Sequence, residues 1–373
     1  MHTSAHSWPG VEKRWHSGGE SGIVPAMKTP DVELTAAVPL RRVGPVLLAG
    51  PEVTGEFLLP LATYEAPLWP SVARGARVAV QSGGIRAVVV DDRMSRSILV
   101  EAPDAVAALT VADALAMRLD AARAVVAQAS HYARLLAVHK QIIGNLLYLR
   151  FEFSTGDAAG HNMVTAASEQ LLDWLLAAFP ALRYVSISGN FCADKKATAV
   201  NGILGRGKNV VAELTVPRKI CERYLKSTPE KIAELNVKKN LLGSLAAGGL
   251  RTANAHFANM LLAFYLATGQ DAANIVEGSQ GFTHAEARDG NLYFSVTLPN
   301  LIVGTVGAGK DLPFVQENLK LLGCLEPREP GANARRLAVL CAAAVLCGEL
   351  SLLAAQTNPH ELMAAHLKLE RKK

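Results

Sequence analysis

Aromatic residues make up only 6% of this 373-residue sequence and charged residues only 19%, while half of it is hydrophobic. So little charge against so much apolar material excludes a disordered chain, and the length allows more than one domain with a sizeable core. Runs of Lys and Arg interleaved with aromatics are missing. The net charge of +5 and pI of about 8.9 therefore favour a small anionic ligand over nucleic acid. The five cysteines (Cys192, Cys221, Cys324, Cys341, Cys347) are odd in number and include no C-x-x-C pair. That argues against a disulfide framework and a structural zinc, and it fits a reducing cytoplasm. An apolar signal-peptide core is absent from the first 22 residues. The nearest approach to a membrane span, 337–355, is interrupted by Glu349, so a buried core helix is expected there and no membrane partner. No internal repeat, low-complexity tract or early G-x-G-x-x-G occurs, which leaves a Rossmann site unsupported.

What is present divides the chain unevenly. Residues 1–44, rich in Gly, Ser, Pro and His, read as a poorly ordered lead-in. Turns and strands follow in "VGPVLLAGP", "GEFLLPLATYEAPLWPS", "ARVAV" and "IRAVVV". From residue 98 the pattern becomes strand ("SILVEA"), helix (104–128), strand ("NLLYLRFEFST", opened by "IIGN" at 142–145), helix ("AAGHNMVTAASEQLLDWLLAAF") and strand ("LRYVSIS"). This predicts an inserted ferredoxin-like β-α-β-β-α-β domain over 98–186. The remainder, 45–97 with 187–373, reads as a mainly helical large domain. Its helices include one opened by Ser-Thr-Pro-Glu at 227–230 and one closed by Gly269. The fold class is α+β.

The stretch "SISGNFCADKKATAVNGILGRGKNVV", 186–211, sets Asp194, Lys195 and Lys196 side by side between apolar segments. It is either a solvated turn or a loop holding an anion against paired ammonium groups. "GTVGAGKD", 304–311, approaches a phosphate loop but ends in Asp311, where a Ser or Thr hydroxyl would be needed to ligate magnesium. A glycine-rich turn open to another ligand is the better reading. "STGDAAGHN", 154–162, is a strand-to-helix turn whose free N–H groups suit a pyrophosphate, though a plain helix cap by Asp157 is the simpler alternative. His360 and His366 lie six apart with no acidic or cysteine cluster, so no metal is expected. Glu65 and Asp271 read as caps or surface carboxylates unless they lie near the lysine pair, where they become a proton donor and its tuning partner.

From about residue 43 onward the chain resembles hydroxymethylglutaryl-CoA (HMG-CoA) reductases, most of all the eukaryotic-type class. The likeness rests on "PLATYEAPLWPSVARGARVAV", "RFEFSTGDAAGHNMV", "SGNFCADKKATAVNGILGRGK", "NVKKNLLGSLAAGG", "NAHFANMLLAFYLATGQDAANIVEGS", "TLPNLIVGTVGAGKDLP" and "GELSLLAA", in that order. It implies reduction of HMG-CoA to mevalonate and CoA by two hydrides from NADPH, with NADH as the other possible donor. It also implies a cytoplasmic homodimer or dimer of dimers with the active site between subunits.

By position in the family's motifs, Lys195, Glu65, Asp271 and His366 correspond to the catalytic residues. An ammonium stabilises the oxyanion formed by hydride attack on a thioester, and a buried carboxyl with raised pKa protonates it. The aspartate bridges the two, and the histidine protonates the departing thiolate. Arg74, Arg96, Ser188, Asn190, Asp194, Lys196, Lys239, His256 and Asn259 correspond to the substrate-binding set. Ser130, His131, Tyr132, Asp157, Gly160, His161, Asn162, Gly307 and Arg371 correspond to the cofactor side. His131 stands where the family has an arginine, and Ala73 and Ala365 replace polar residues on the CoA path. Two rival readings are a related CoA-thioester reductase or mevalonate-oxidising enzyme using NAD(H), and a non-catalytic CoA-binding paralogue.

Overall fold

The computed structural model describes residues 36–369. Most of the expected lead-in and Arg371 lie outside the described residues. β1 (Leu40–Ala49) and β2 (Thr54–Ala62) pair as an antiparallel hairpin, so residues 40–44 are strand rather than lead-in. The next segment, α1 (Leu68–Gln81), is helical through "ARVAV", where alternation suggested a strand. Leu68, Val72, Ala76 and Ala79 repeat at helical spacing and are buried on one face. Pro70 falls in the first turn, where its missing N–H has no intrahelical partner to lose.

β3 (Arg86–Glu101) is followed by α2 (Ala105–Met117) and α3 (Leu119–Ala129), so the single helix expected over 104–128 is broken at Arg118. β4 (Arg134–Ile143), β5 (Leu146–Ser154), α4 (His161–Ala178) and β6 (Arg183–Ser186) come next. The second half of β3 pairs antiparallel with β5 on one side and β6 on the other, and β4 flanks β5. The order β4-β5-β3-β6 is that of a split β-α-β-β-α-β unit. Residues 97 and 98 lie inside the unbroken β3, whose first half pairs with β7 (Gly207–Val216). One strand therefore serves two sheet regions, and the described residues form a continuous eight-stranded sheet.

Beyond α5 (Ala199–Leu204) and β7 lie α6 (Arg218–Ile220), α7 (Pro229–Leu235), α8 (Ser244–Ala246), β8 (Thr252–Ala253), α9 (Phe257–Ala267) and α10 (Ile275–Gly278). They are followed by β9 (Gly281–Arg288), β10 (Asn291–Leu301), α11 (Pro313–Leu321), α12 (Ala332–Gln356) and α13 (Glu361–Leu369). The Thr228 hydroxyl caps α7, with Pro229 at its first position. A π-helical stretch, Asn236–Gly243, continues it. β7, β10, β9 and β8 are neighbours in the sheet, so the mainly helical part also carries strands of the main sheet.

Two apolar cores result. The larger joins the β1–β2 hairpin, α1, α9, α12, β7 and β10, and the smaller joins the second half of β3 with α2–α4, β4 and β5. The 25-residue α12 has the length and mean hydropathy, 2.2, of a membrane span, yet 94% of its apolar window is buried inside the protein. α1 approaches it backbone to backbone: a Cβ on Gly75 would stand 2.1 Å from the Cys347 carbonyl oxygen, so only glycine fits.

Candidate active site

α9 is buried and apolar on most sides, and polar groups gather beyond each of its ends. At its N-terminal end, Asn259 Nδ2 donates to Glu65 Oε2 at 2.9 Å, and His256 Nδ1 lies 3.4 Å from the same Nδ2. His256 Nε2 is 3.0 Å from the Gly348 carbonyl oxygen. A carbonyl only accepts, so the neutral ring carries its proton on Nε2 and Nδ1 accepts from Asn259. The backbone before α9 is fixed by Glu349, fully buried in α12, which accepts from the amides of Ala255 (2.6 Å) and His256 (3.1 Å) and from the Thr283 hydroxyl (2.7 Å). Glu65, Arg74, His256 and Asn259 line a cavity of about 500 Å³ with Pro67, Pro70, Leu352 and Leu362.

Beyond the C-terminal end of α9, Asp271 does two things at once. Oδ1 accepts the Ala273 amide at 3.0 Å to cap a short 3-10 turn, and Oδ2 accepts from Lys195 Nζ at 2.8 Å. The hydrogen bond from Asp271 raises the Lys195 pKa above its ordinary value, burial opposing it. Burial pushes Asp271 upward, but the bond from Lys195 and the Ala273 amide outweigh it and hold the carboxyl below its usual value. The lysine is therefore charged at neutral pH. These two residues line a second cavity, of about 590 Å³, with Arg96, Gly160, His161, Asn162, Asp194, Gly307 and Lys310.

The loop bearing Lys195 is clamped on several sides. Cys192 N donates to the Ser97 hydroxyl (3.0 Å) and Gly189 N to the Ser97 carbonyl (3.1 Å). Arg150, fully buried on β5, donates to the carbonyls of Phe191 (3.2 Å) and Gly205 (2.6 Å) and to Asn201 Oδ1 (2.8 Å). Asn201 Nδ2 in turn donates to the Ala193 carbonyl at 2.9 Å. Asp194 is ion-paired with the buried Arg206 at 2.9 Å, with Arg96 at 4.0 Å and His161 at 3.9 Å. Burial and Arg206 hold the His161 pKa below its usual value, against the pull of Asp194 and Asp271.

The expected residues thus fall into two groups. Arg96, Asp194, Gly160, His161, Asn162 and Gly307 share the Lys195–Asp271 cavity, while Arg74, His256 and Asn259 share the Glu65 cavity. Within one chain Asp271 does not bridge Lys195 and Glu65. The eleven-residue α9 stands between them, about 16 Å long at 1.5 Å per residue. Lys239 sits on the π-helical stretch with Nζ 3.1 Å from Asn240 Oδ1, and burial lowers its pKa against the attraction of Glu349. Ser188 is turned inward, its amide on the Ser186 hydroxyl (3.0 Å). Asn190 and Lys196 are exposed on the loop, and Lys196 Nζ donates to the Asp194 carbonyl at 3.1 Å. Ser130, His131 and Tyr132 follow α3. Ser130 lines a small recess that meets the Lys195 cavity at Met163. The His366 side chain lies outside the described residues.

Asp157 and Arg74 are both engaged within the chain, and the reading of Asp157 as a plain cap of α4 needs correcting. Asp157 does not cap α4, and both its carboxylate oxygens are taken by amides at the start of α12, Gly331 N (3.1 Å) and Ala334 N (2.9 Å). It supports the turn before α4 without facing the cavity. α4 begins instead at Gly160 in the left-handed region, φ 96°, with no side-chain cap. Arg74 is likewise engaged internally, donating to the Tyr224 (3.1 Å) and Leu225 (2.6 Å) carbonyls and pairing with Glu361 of α13 at 2.6 Å. The "GRGK" basic pair is no phosphate-backbone contact: Arg206 and Lys208 are 1% and 2% exposed and ion-paired inside.

Sequence reasoning missed Glu277, Arg206, Arg150 and Glu349. A carboxylate in the middle of a long buried helix was the available signal for the last, because a buried charge persists only with partners. Charged residues in "GRGK" and "VEGS" could have been matched in the same way.

This arrangement has known counterparts. Residues 34–371 match the family model of hydroxymethylglutaryl-coenzyme A reductase. The 3-hydroxy-3-methylglutaryl-coenzyme A reductase of Pyrococcus horikoshii is 48% identical over 337 residues, covering 90% of this chain and 81% of that protein. That of Aeropyrum pernix is 47% identical over 333 residues, covering 87% and 79%. The class II enzyme of Streptococcus pneumoniae, solved bound to NADPH in open conformations, superposes with a TM-score of 0.70 over 88% of each chain at 20% identity. A matched model and near-half identity across almost the whole described chain leave one assignment, and the protein belongs to the hydroxymethylglutaryl-coenzyme A reductase family.

Proposed function

We propose that the protein reduces HMG-CoA to mevalonate and free CoA with two successive hydrides from NADPH. In this reading 98–186 carries the cofactor, 45–97 with 187–373 carries the thioester substrate, and the enzyme acts in the cytoplasm. The observation that carries it is the Lys195–Asp271 pair, an ammonium charged at neutral pH on the wall of a cavity of about 590 Å³.

The residues fit a dinucleotide. The uncapped first turn of α4 leaves backbone N–H groups free for a phosphate. Lys310, nearly buried in the wall, adds a cation whose Nζ donates to the Gly269 carbonyl. A reduced nicotinamide bound there supplies hydride. Lys195 stabilises the oxyanion developing on the thioester carbonyl and on the aldehyde that follows, and Asp271 keeps it protonated. Glu65 gives a proton to the hemithioacetal oxygen, takes it back as the C–S bond breaks to leave the aldehyde, and gives one again to the final alkoxide, while His366 on α13 protonates the thiolate that leaves as CoA. Arg96 and Lys196 face the glutaryl carboxylate.

Because α9 separates Glu65 from Lys195 within a chain, the two half-sites meet across a homodimer, with Glu65 of one copy serving Lys195 of the other. Reduced-nicotinamide consumption by purified protein, dependent on HMG-CoA and compared between NADPH and NADH, tests the assignment. Steady turnover with stoichiometric CoA release is expected. A folded protein that binds CoA without turning over would overturn it.

A further inference from the structure

Ala193 (φ 49°) and Lys195 (φ 54°) both occupy the left-handed region, which is strained for a residue bearing a Cβ. The loop holds this shape because buried groups impose it, and one of them reaches both halves of the Lys195–Asp271 pair. Glu277 of α10 is fully buried. Its Oε1 accepts the Lys195 amide at 3.1 Å, Asn274 Nδ2 at 3.0 Å and Arg206 Nη1 at 2.9 Å. Asn274 ends the 3-10 turn that Asp271 caps. Through Arg206, 2.9 Å from Asp194 Oδ1, the same carboxylate also reaches the residue before Lys195. One oxygen therefore fixes the backbone of the lysine, the turn of its aspartate and the cation beside both.

We propose that Glu277 is a positioning residue that sets the Lys195–Asp271 geometry. This rests on the reading of Lys195 as the oxyanion-stabilising group. Glu277 touches no substrate, and its effect passes through backbone and guanidinium to the ammonium that does. A buried carboxylate serving stability alone would need only Arg206, and the contacts to Lys195 N and Asn274 would then be incidental.

Two readouts separate these cases. Glu277→Leu should lower kcat by about 100-fold with KM little changed, the scale expected when a catalytic group is misplaced by about an ångström. Glu277→Gln keeps an acceptor at Oε1 and should recover at least about a tenth of the parent rate. Independently of turnover, Lys195 acetylation by acetic anhydride is followed across pH by peptide mass spectrometry. A loosened pair lets the amine lose its proton more easily, so the labelling midpoint should fall in Glu277→Leu and stay near the parent in Glu277→Gln. If Glu277→Leu does not fold, Asn274→Ala cuts only the link to the Asp271 turn and should lower both kcat and the midpoint. A folded Glu277→Leu or Asn274→Ala protein with parental kcat and labelling overturns the proposal, as does a Glu277→Gln protein as inactive as Glu277→Leu. A parent without turnover would sink the enzymatic reading while leaving the labelling comparison decisive for Glu277.

Discussion

The cavity around Glu65 is walled by Pro67, Pro70, Leu352 and Leu362, and its carboxylate accepts from Asn259, which also meets His256, itself held at the Gly348 carbonyl. The cavity around Lys195 concentrates charge instead, with Arg96, Asp194, Lys195, Asp271 and Lys310 on its lining. The first is held by regular elements, the N-terminal end of α9 and the middle of α12. The second is held by a loop in which Asn190, Ala193 and Lys195 all have positive φ. A group proposed to meet developing negative charge needs a setting that keeps it cationic, and the Asp271 carboxylate supplies one to Lys195. Within the chain α9 keeps the two clusters apart, and the proposed chemistry calls on a second copy to bring them together.

Breaking that separation gives the largest effect. Lys195→Met and Glu65→Gln should each lower turnover by about a thousandfold, and each protein should retain its melting temperature, since Lys195 is well exposed. Mixed after dissociation and reassociation, the two inactive proteins should regain roughly a quarter of parental activity. Half of the dimers then pair the two variants, and each of those has one undamaged site. Absence of complementation in verified mixed dimers would place both half-sites in one chain.

A smaller effect sharpens the electrostatic side. Asp271 raises the Lys195 pKa, so the parent loses activity only at strongly alkaline pH, as the ammonium deprotonates. Asp271→Asn removes that support and should move the basic limb of the pH–rate profile to lower pH, beside a fall in kcat. A limb left in place would assign it to another group.

The smallest effect concerns the cost of charge in that cavity. Burial lowers Lys310 from 10.5 to about 8. Between pH 8 and 10.5 the folded chain therefore binds fewer protons than the unfolded one, and stability rises with pH across this window, the full cost being felt below it. The shift corresponds to on the order of 3 kcal/mol, offset by about 1 kcal/mol for the hydrogen bond to Gly269. Lys310→Met should thus melt higher at neutral pH, with the advantage shrinking toward pH 10.5. An advantage independent of pH would point to packing instead.

Much of this was legible in the chain. The alternation in 146–154 and the helical spacing in 161–178 located two core elements of the small sheet. The Asp-Lys-Lys loop, Glu65 and Asp271 stood out as charges in apolar surroundings. Other features were not legible for physical reasons. "ARVAV" alternates like a strand, but its register with Leu68 and Val72 lets it bury a helical face on α12. Asp157 sits where a local cap belongs and finds its partners 174 and 177 residues away. Nor does linear sequence show that Glu65 and Asp271 stand beyond opposite ends of one helix.

The Asp157 contact also bears on the order in which the chain acquires its structure. The Gly331 start of α12 has no side-chain cap within its own segment, and two of its first amides are met only by the Asp157 carboxylate from the turn after β5. That turn is further tied by the Thr305 amide to the Asp157 carbonyl at 2.8 Å. We expect the first turn of this long buried helix to settle only once the β5–α4 corner of the small sheet stands beside it. Loss of this one carboxylate would slow completion of the larger core from a position in the smaller one.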